Sequence, residues 1–229
     1  MSKASVLFIH GAGGGGWEWN IWTRVFQAHG FDVHAPDCLP LTSGLAKTRL
    51  QDYQLQMQQH LSAMNSPRTI IGASLGGLLA LMNADHANAL VLINPMPPTP
   101  FHLQMPTREN YPDIIPWQSR ASLQGTRRAL FDGDEMTCLY ALRHWRNESG
   151  AVMNAAMAGI NIIQPMCPVL VMASEHDRDV PFSVSKTLAN NLNASFINLP
   201  ASSHVGPLLG RTAMQCALQA VAFLNGIFR

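Results

Sequence analysis

Residues 68–82 read RTIIGASLGGLLALM, and the reading of this stretch decides the fold. Thr69, Ile70 and Ile71 make a short β-branched run that packs as a strand, while Leu75 to Met82 has the length and composition of a helix. A strand that passes into a helix within three residues needs a sharp turn, and Gly72-Ala73-Ser74-Leu75-Gly76 supplies one of the form Gly-x-Ser-x-Gly. Such a turn forces its central serine into an exposed, strained conformation. Leu75, opening the helix, has an N–H without an intrahelical partner, aimed at any negative charge that develops beside Ser74.

Working outward, the same rhythm recurs. Val6 to Ile9 is an apolar strand; Trp22, Val25, Phe26 and His29 follow at helical spacing, and residues 31–36 form the next strand. A helix runs from about Leu50, with Tyr53, Met57, Leu61 and Met64 on one face, and residues 89–94 return to strand. Strands alternating with helices specify an α/β architecture, a doubly wound, mainly parallel sheet of about six strands covered on both faces. The rhythm stops at Asn94. Seven of the 15 prolines fall between Pro95 and Pro116, and helical signals resume only near Asp134, so residues 95–164 are expected to form an inserted, mostly helical cap. Its clearest helical face is Met153, Ala156, Met157 and Ile160. Residues 1–94 and 165–229 then form the core, with strands from Pro168 and Ser195, Pro181 in the first turn of a helix, and a closing helix marked by Met214, Ala217, Leu218 and Val221.

Composition bounds the function. With 47% hydrophobic and 13% charged residues in 229, the chain has material for a large core and little for solvated tails, which excludes intrinsic disorder as its main state. Fifteen Lys+Arg nearly cancel 14 Asp+Glu. No net field favours nucleic acid or an anionic membrane, and the partner expected is a small molecule. Cys38, Cys138, Cys167 and Cys216 lie too far apart for a metal ribbon or a redox pair and read as reduced thiols. No stretch approaches the roughly 18 apolar residues of a membrane span, and the N-terminal run is too short for a signal peptide, so a soluble, cytoplasmic protein is expected. Nothing in the sequence sets the oligomeric state.

A serine hydroxyl is a poor nucleophile at neutral pH and needs a base, itself oriented by a carboxylate. The loops after the later strands offer both. Residues 174–179 read Ser-Glu-His-Asp-Arg-Asp, and residues 201–204 read Ala-Ser-Ser-His. In a parallel sheet these loops share the carboxyl edge with Ser74. His204 is the base, because it follows the last strand; His176 competes but would share its loop with the acid. Asp177 is preferred over Asp179 and Glu175, with Asp179 read as a helix N-terminal charge. His10, His34, His86 and His144 read as structural.

Residues 10–17, His-Gly-Ala-Gly-Gly-Gly-Gly-Trp, admit two mechanisms. As Gly-x-Gly-x-x-Gly over Gly11, Gly13 and Gly16, with Asp32 or Asp37 beyond, they match a dinucleotide-binding fingerprint, which implies NAD and an oxidoreductase. As His-Gly-x-Gly they form an oxyanion loop with the Ala12 N–H as donor. The second reading is favoured because it also explains Ser74, Asp177 and His204. A Walker phosphate loop is excluded, since no Lys-Ser/Thr follows the glycines.

These motifs, HGAGGGGWEW, GASLGG, ASEHDRDVP and SSHVGPLL in that order, resemble the α/β-hydrolase superfamily along essentially the whole chain, and the N-terminal loop is most similar to the plant methylesterase and hydroxynitrile lyase branch and its bacterial relatives. The resemblance implies nucleophile Ser74, acid Asp177, base His204 and oxyanion donors Ala12 and Leu75, with no cofactor and no metal. Hydroxynitrile lyases of that branch carry Lys after the histidine, where this chain has Val205; dehalogenases and epoxide hydrolases carry Asp where it has Ser74. The implied function is a serine hydrolase cleaving a carboxylic ester. Thioester or carbon–carbon hydrolysis would use the same triad, and a non-catalytic ligand receptor is a further alternative. Substrate contacts are expected from Gly13, Trp17, Met96, Phe101, Trp117, Trp145, Met153, Met157 and Val205, although Met and Trp at such spacing also serve simply to pack a cap onto a core. Arg143 and Arg146 read as solvated helix charges in preference to carboxylate binders. Six arginines balance six acids in residues 95–164, so substrate attraction is expected to be chiefly apolar.

Overall fold

In a computed structural model, which describes residues 4–228, the chain forms one six-stranded sheet flanked by helices. The first half comprises β1 (Ser5–Ile9), α1 (Asn20–Ala28), β2 (Asp32–His34), α2 (Leu50–Ala63), β3 (Arg68–Ala73), α3 (Leu75–Met82) and β4 (Ala89–Ile93). Between β4 and the next sheet strand lie β5 (Ile114–Ile115), α4 (Trp117–Arg120), α5 (Leu123–Ala129), α6 (Glu135–His144), β6 (Glu148–Ser149) and α7 (Gly150–Met157). The chain closes with β7 (Val169–Ser174), α8 (Phe182–Asn191), β8 (Ser195–Leu199), α9 (Gly206–Leu209) and α10 (Ala213–Ile227).

Strand order is β2-β1-β3-β4-β7-β8, and every pairing is parallel. The apolar runs have their cause in two-sided burial. Leu7 and Ile9 of β1, Leu90 and Leu92 of β4, and Val169 and Val171 of β7 pack with α2, α3 and α8. Their alternates Val6 and Phe8, Val91 and Ile93, Leu170 and Met172 pack with α1 and α10 on the opposite face. A period of two with both phases apolar is what a central parallel strand requires. The chain leaves β1 in one direction to reach β2 and crosses back to β3, so the strand order reverses between β1 and β3. In such sheets that reversal opens a crevice at the carboxyl edge.

The segment between β4 and β7 departs from the sequence reading in detail. Helix α4 is one turn long, and α5 buries only Thr126 and contains Gly125; neither offers the apolar period by which a helix is read. Strands β5 and β6 pair antiparallel, Ile114 with Ser149 and Ile115 with Glu148. Val152, Met153 and Ala156 of α7 join the same buried cluster as α2. The seam of α10 also differs. Ala213, Cys216, Ala217, Ala220, Val221 and Leu224 are buried, whereas Met214 and Leu218 are 60% and 40% exposed. Small residues let α10 lie close, and the larger ones turn outward. Pro181 caps α8 from just outside it. Cys38, Cys138 and Cys216 are buried and Cys167 half-buried, and all four are free. No helix among the described residues is long and apolar enough to cross a membrane.

Candidate active site

Ser74 ends β3 and opens α3 with φ 53° and ψ −119°, a left-handed conformation that costs a non-glycine residue of order 1–3 kcal/mol. Its backbone is held from three sides. The Ser74 N–H donates to Ile93 O at 3.0 Å, and the Ser74 carbonyl accepts from Gly77 N–H at 2.9 Å and from Met96 N–H at 2.9 Å. A Cβ on Gly72 would collide with the carbonyl of Gly76, and one on Gly76 with the carbonyl of Ile9. Gly72 is therefore fixed by the backbone of α3 and Gly76 by the end of β1. Leu75 is the first helical residue, so its N–H has no carbonyl four residues back.

The loop after β7 carries Asp177 and the loop after β8 carries His204. His204 Nδ1 donates to Asp177 Oδ2 at 2.7 Å, and Asp177 Oδ1 accepts from the N–H groups of Asp179 and Val180 at 2.8 and 2.9 Å. The Asp177 side chain is 1% exposed. Asn94, at the end of β4 with φ 44°, ties the two loops together: its Nδ2 donates to His204 O at 2.8 Å and to Ser174 Oγ at 2.9 Å, while its Oδ1 accepts from Ser174 N–H. Burial alone would lower the His204 imidazole. The Asp177 carboxylate and its hydrogen bond, with smaller contributions from Asp179 and Glu18, outweigh that and push it up to about 9.

The other candidates lie elsewhere. His176 is exposed beside Phe131, and Glu175 accepts from Asn198 Nδ2 at 2.7 Å. Asp179 faces Arg108 at 3.6 Å. The donor atoms of Asp177, Asp179 and His204 gather within 4.8 Å, a spacing a divalent ion could use, but His204 Nδ1 and Asp177 Oδ2 are already engaged with each other. His34 and His86 pair with neighbouring aspartates, and His144 bonds Tyr140 O.

The loop after β1 is clamped along its length. His10 is buried; its Nε2 accepts from Cys38 N–H at 2.8 Å, so its Nδ1 carries the proton and donates to Gly11 O at 2.7 Å. Burial lowers it to about 4, which keeps this neutral form at physiological pH. The Gly13 N–H donates to Glu148 Oε2 at 3.0 Å, and Ala12 lines the same cavity as Ser74. Arg146 is not a solvated charge: it donates to Gly14 O at 2.6 Å, to His10 Nε2 at 3.1 Å and pairs with Asp37 at 3.0 Å. Asp37 also accepts from Gly16 N–H at 2.7 Å. A Cβ on Gly14 would strike the Glu18 carboxylate, and one on Gly16 the Ala35 carbonyl. The glycines thus make room for side chains and backbone of this chain, and Asp32 and Asp37, the expected ribose contacts, are engaged with His34 and Arg146. That arrangement runs against the dinucleotide reading.

Ser74 and His204 share a cavity of about 680 Å³ with Ala12, Gly13, Met96, Trp117, Trp145, Met153, Met157 and Val205. Two expected wall residues do not reach it. Trp17 packs its ring against Tyr140, His144 and Trp145, and Phe101 is buried in the core with α7 and α8. In their place come Glu18, Arg108, Arg120 and Arg128. Glu18 is 4% exposed, its Oε2 has no hydrogen-bond partner, and burial pushes its carboxyl up to about 8, against the pull of the Gly11 N–H and His204. Glu18, Asp132 and Glu148 carry no signal as site residues in the sequence, and Arg146, read there as a solvated charge in preference to a carboxylate binder, instead braces the loop after β1. Asp132, from the segment between β4 and β7, accepts from Ser203 Oγ at 2.5 Å, Ser203 N–H at 3.2 Å and Ser202 Oγ at 3.1 Å, bracing the loop of His204.

The fold agrees with the comparisons. No match was found among curated protein sequences. Among solved structures, the chain is similar to polyneuridine aldehyde esterase (TM-score 0.73, 16% identity, covering 95% of this chain and 99% of that one). It is similar to a pyrethroid hydrolase from Sphingobium faniae JZ-2 (0.73, 19%, 97% and 97%). A methylesterase, MES16 from Arabidopsis, aligns as well (0.72, 15%, 96% and 99%). A family model described as "Alpha/beta hydrolase family" matches residues 6–214, nearly the whole chain. The chain belongs to the alpha/beta hydrolase family.

Proposed function

We propose that this protein is a serine hydrolase that cleaves a carboxylic ester with a hydrophobic portion through an acyl-enzyme on Ser74. The observation that carries the reading is the 2.7 Å hydrogen bond between His204 Nδ1 and a buried Asp177, in a cavity shared with the strained Ser74. Asp177 holds the imidazole so that Nε2 is the free nitrogen. That nitrogen takes the Ser74 proton as Oγ attacks the ester carbonyl. The N–H groups of Ala12 and Leu75 stabilise the oxyanion, and the imidazolium then protonates the departing alcohol. Water, deprotonated by His204, attacks the acyl carbonyl and releases the acid and free Ser74. Residues 95–164 act as a cap whose Met96, Trp117, Trp145, Met153 and Met157 give the acyl or alcohol chain an apolar wall and exclude water from the developing charge.

Labelling by a fluorophosphonate probe followed by peptide mapping tests the nucleophile, with modification expected at Ser74. A Ser74→Ala variant should lose at least about 10³-fold in the rate of p-nitrophenyl ester hydrolysis. A variant as fast as the parent, or labelling elsewhere, overturns the assignment.

A further inference from the structure

The charges around the cavity do not mirror those of the chain. Lys+Arg exceeds Asp+Glu by one overall, and residues 95–164 carry six arginines and six acids. The cavity wall, however, collects Arg108, Arg120 and Arg128 against Asp179 and Glu18. Glu18 is held largely neutral at pH 7 by its burial. Asp179 is shared with Arg108 at 3.6 Å, whereas neither Arg120 nor Arg128 has a carboxylate partner among the described residues. Arg127 and Arg146, which are not among the cavity-lining residues, are by contrast paired with Glu135 and Asp37. The His204 charge is balanced by Asp177 behind it. Two guanidinium groups, one ending α4 and one in the last turn of α5, are therefore left uncompensated on the cap side, with Ser74, Ala12 and His204 on the sheet side and methionine and tryptophan walls as the remaining lining.

Guanidinium is weakly hydrated and matches carboxylate and phosphate oxygens bidentately, so two exposed guanidinium groups without carboxylate partners on the wall of one cavity are a recognition element for an anion. We propose that the substrate carries an anionic group, separated from its scissile carbonyl by an apolar segment, and that Arg120 and Arg128 bind that group. The proposal rests on the ester-hydrolase reading and replaces the expectation that attraction is chiefly apolar.

Monomethyl adipate and dimethyl adipate differ in one carboxylate. Binding of each to the Ser74→Ala protein is read from the fluorescence of Trp117 and Trp145, which line the cavity. The expected result is an affinity at least about tenfold higher for the monoester at low salt, with the preference shrinking in 0.5 M NaCl. The preference should vanish in Arg120→Gln/Arg128→Gln and survive largely in Arg120→Lys/Arg128→Lys, which keeps the charge and controls for a merely structural loss. Equal binding within the ester pair and also within the thioester pair described next, or a preference that outlasts the glutamine pair, overturns the proposal. Hexanoyl-coenzyme A against the neutral N-acetylcysteamine thioester of hexanoate forms a second arm. A preference in this arm alone places the anion on a phosphate carrier, and one in the first arm alone places it on the acid itself. If the anionic ligand binds selectively but the parent protein hydrolyses none of these compounds, the anion site stands and the hydrolase reading falls.

Discussion

Replacing Glu148 by glutamine tests whether the segment between β4 and β7 holds the loop after β1, the proposed oxyanion loop, in place. Glu148 is 3% exposed and accepts three hydrogen bonds: from Gly13 N–H at 3.0 Å, from Tyr53 Oη at 2.9 Å and from Ser149 N–H at 2.8 Å. Glutamine preserves the shape but has one accepting oxygen. If that oxygen keeps the bonds of Tyr53 and Ser149, the new NH2 group meets the Gly13 N–H, donor against donor. Leaving one buried donor unpaired costs about 1–3 kcal/mol, more where the lost acceptor was charged. The loop relieves this by moving Gly13, and Ala12 precedes it directly. Losing a whole oxyanion donor costs about 10²- to 10³-fold in kcat, so a displaced one should cost about 10- to 100-fold. KM should change less than about threefold, because Gly13 and Ala12 contribute no large contact area. Steady-state hydrolysis of a p-nitrophenyl ester, with thermal unfolding measured alongside, separates the effects. A folded variant with kcat within twofold of the parent would refute the reasoning.

Three further outcomes follow. With His204 pushed up to about 9, the base is mainly protonated at neutral pH, so kcat/KM should rise about tenfold per pH unit toward pH 9 and then level; Glu18→Gln, which removes a charge that raises His204, should move that limb to lower pH, and an unmoved limb would contradict the coupling. Because the folded state holds the Glu18 proton to about 8 and the unfolded chain releases it near 4.5, this residue makes the fold less stable as pH rises between those values, by a total on the order of 5 kcal/mol; denaturant unfolding of Glu18→Gln should show a gain that is much larger at pH 8 than at pH 5, and equal gains would rule out a buried neutral carboxyl. Asp132→Ala strips acceptors from Ser202 and Ser203 and should cost about 2–3 kcal/mol while lowering kcat more than it raises KM, since the loop it frees carries His204; an unchanged kcat would show that the loop is rigid without it.

The central strands are legible because they are buried on both faces: Val6 to Ile9, Ile70 to Ala73 and Leu90 to Ile93 are continuous apolar runs separated by helices, whereas the edge strands β2 and β8 are partly exposed. Ser74, Asp177 and His204 could be nominated for a related reason, since each follows a strand and parallel pairing delivers all three loops to one edge. The bracing residues had no such signal. Arg146 reaches Gly14 across 132 positions and Glu148 reaches Gly13 across 135, and no local period encodes a contact of that range. Arg146 follows α6 and has the local look of a solvated charge. Size misled at Trp17 and on α10: a large apolar residue was taken to face the pocket or the core, whereas ring packing with Tyr140 decided the first and close approach of alanines the second.

The segment between β4 and β7 reaches into both halves of the proposed machinery, through Asp132 to the histidine loop and through Arg146 and Glu148 to the loop before α1. It is therefore a poor candidate for modular exchange. Grafting another relative's residues over 95–164 would discard three anchors along with the cavity walls, and on the proposed mechanism such a chimera should lose activity unless these three side chains are carried across.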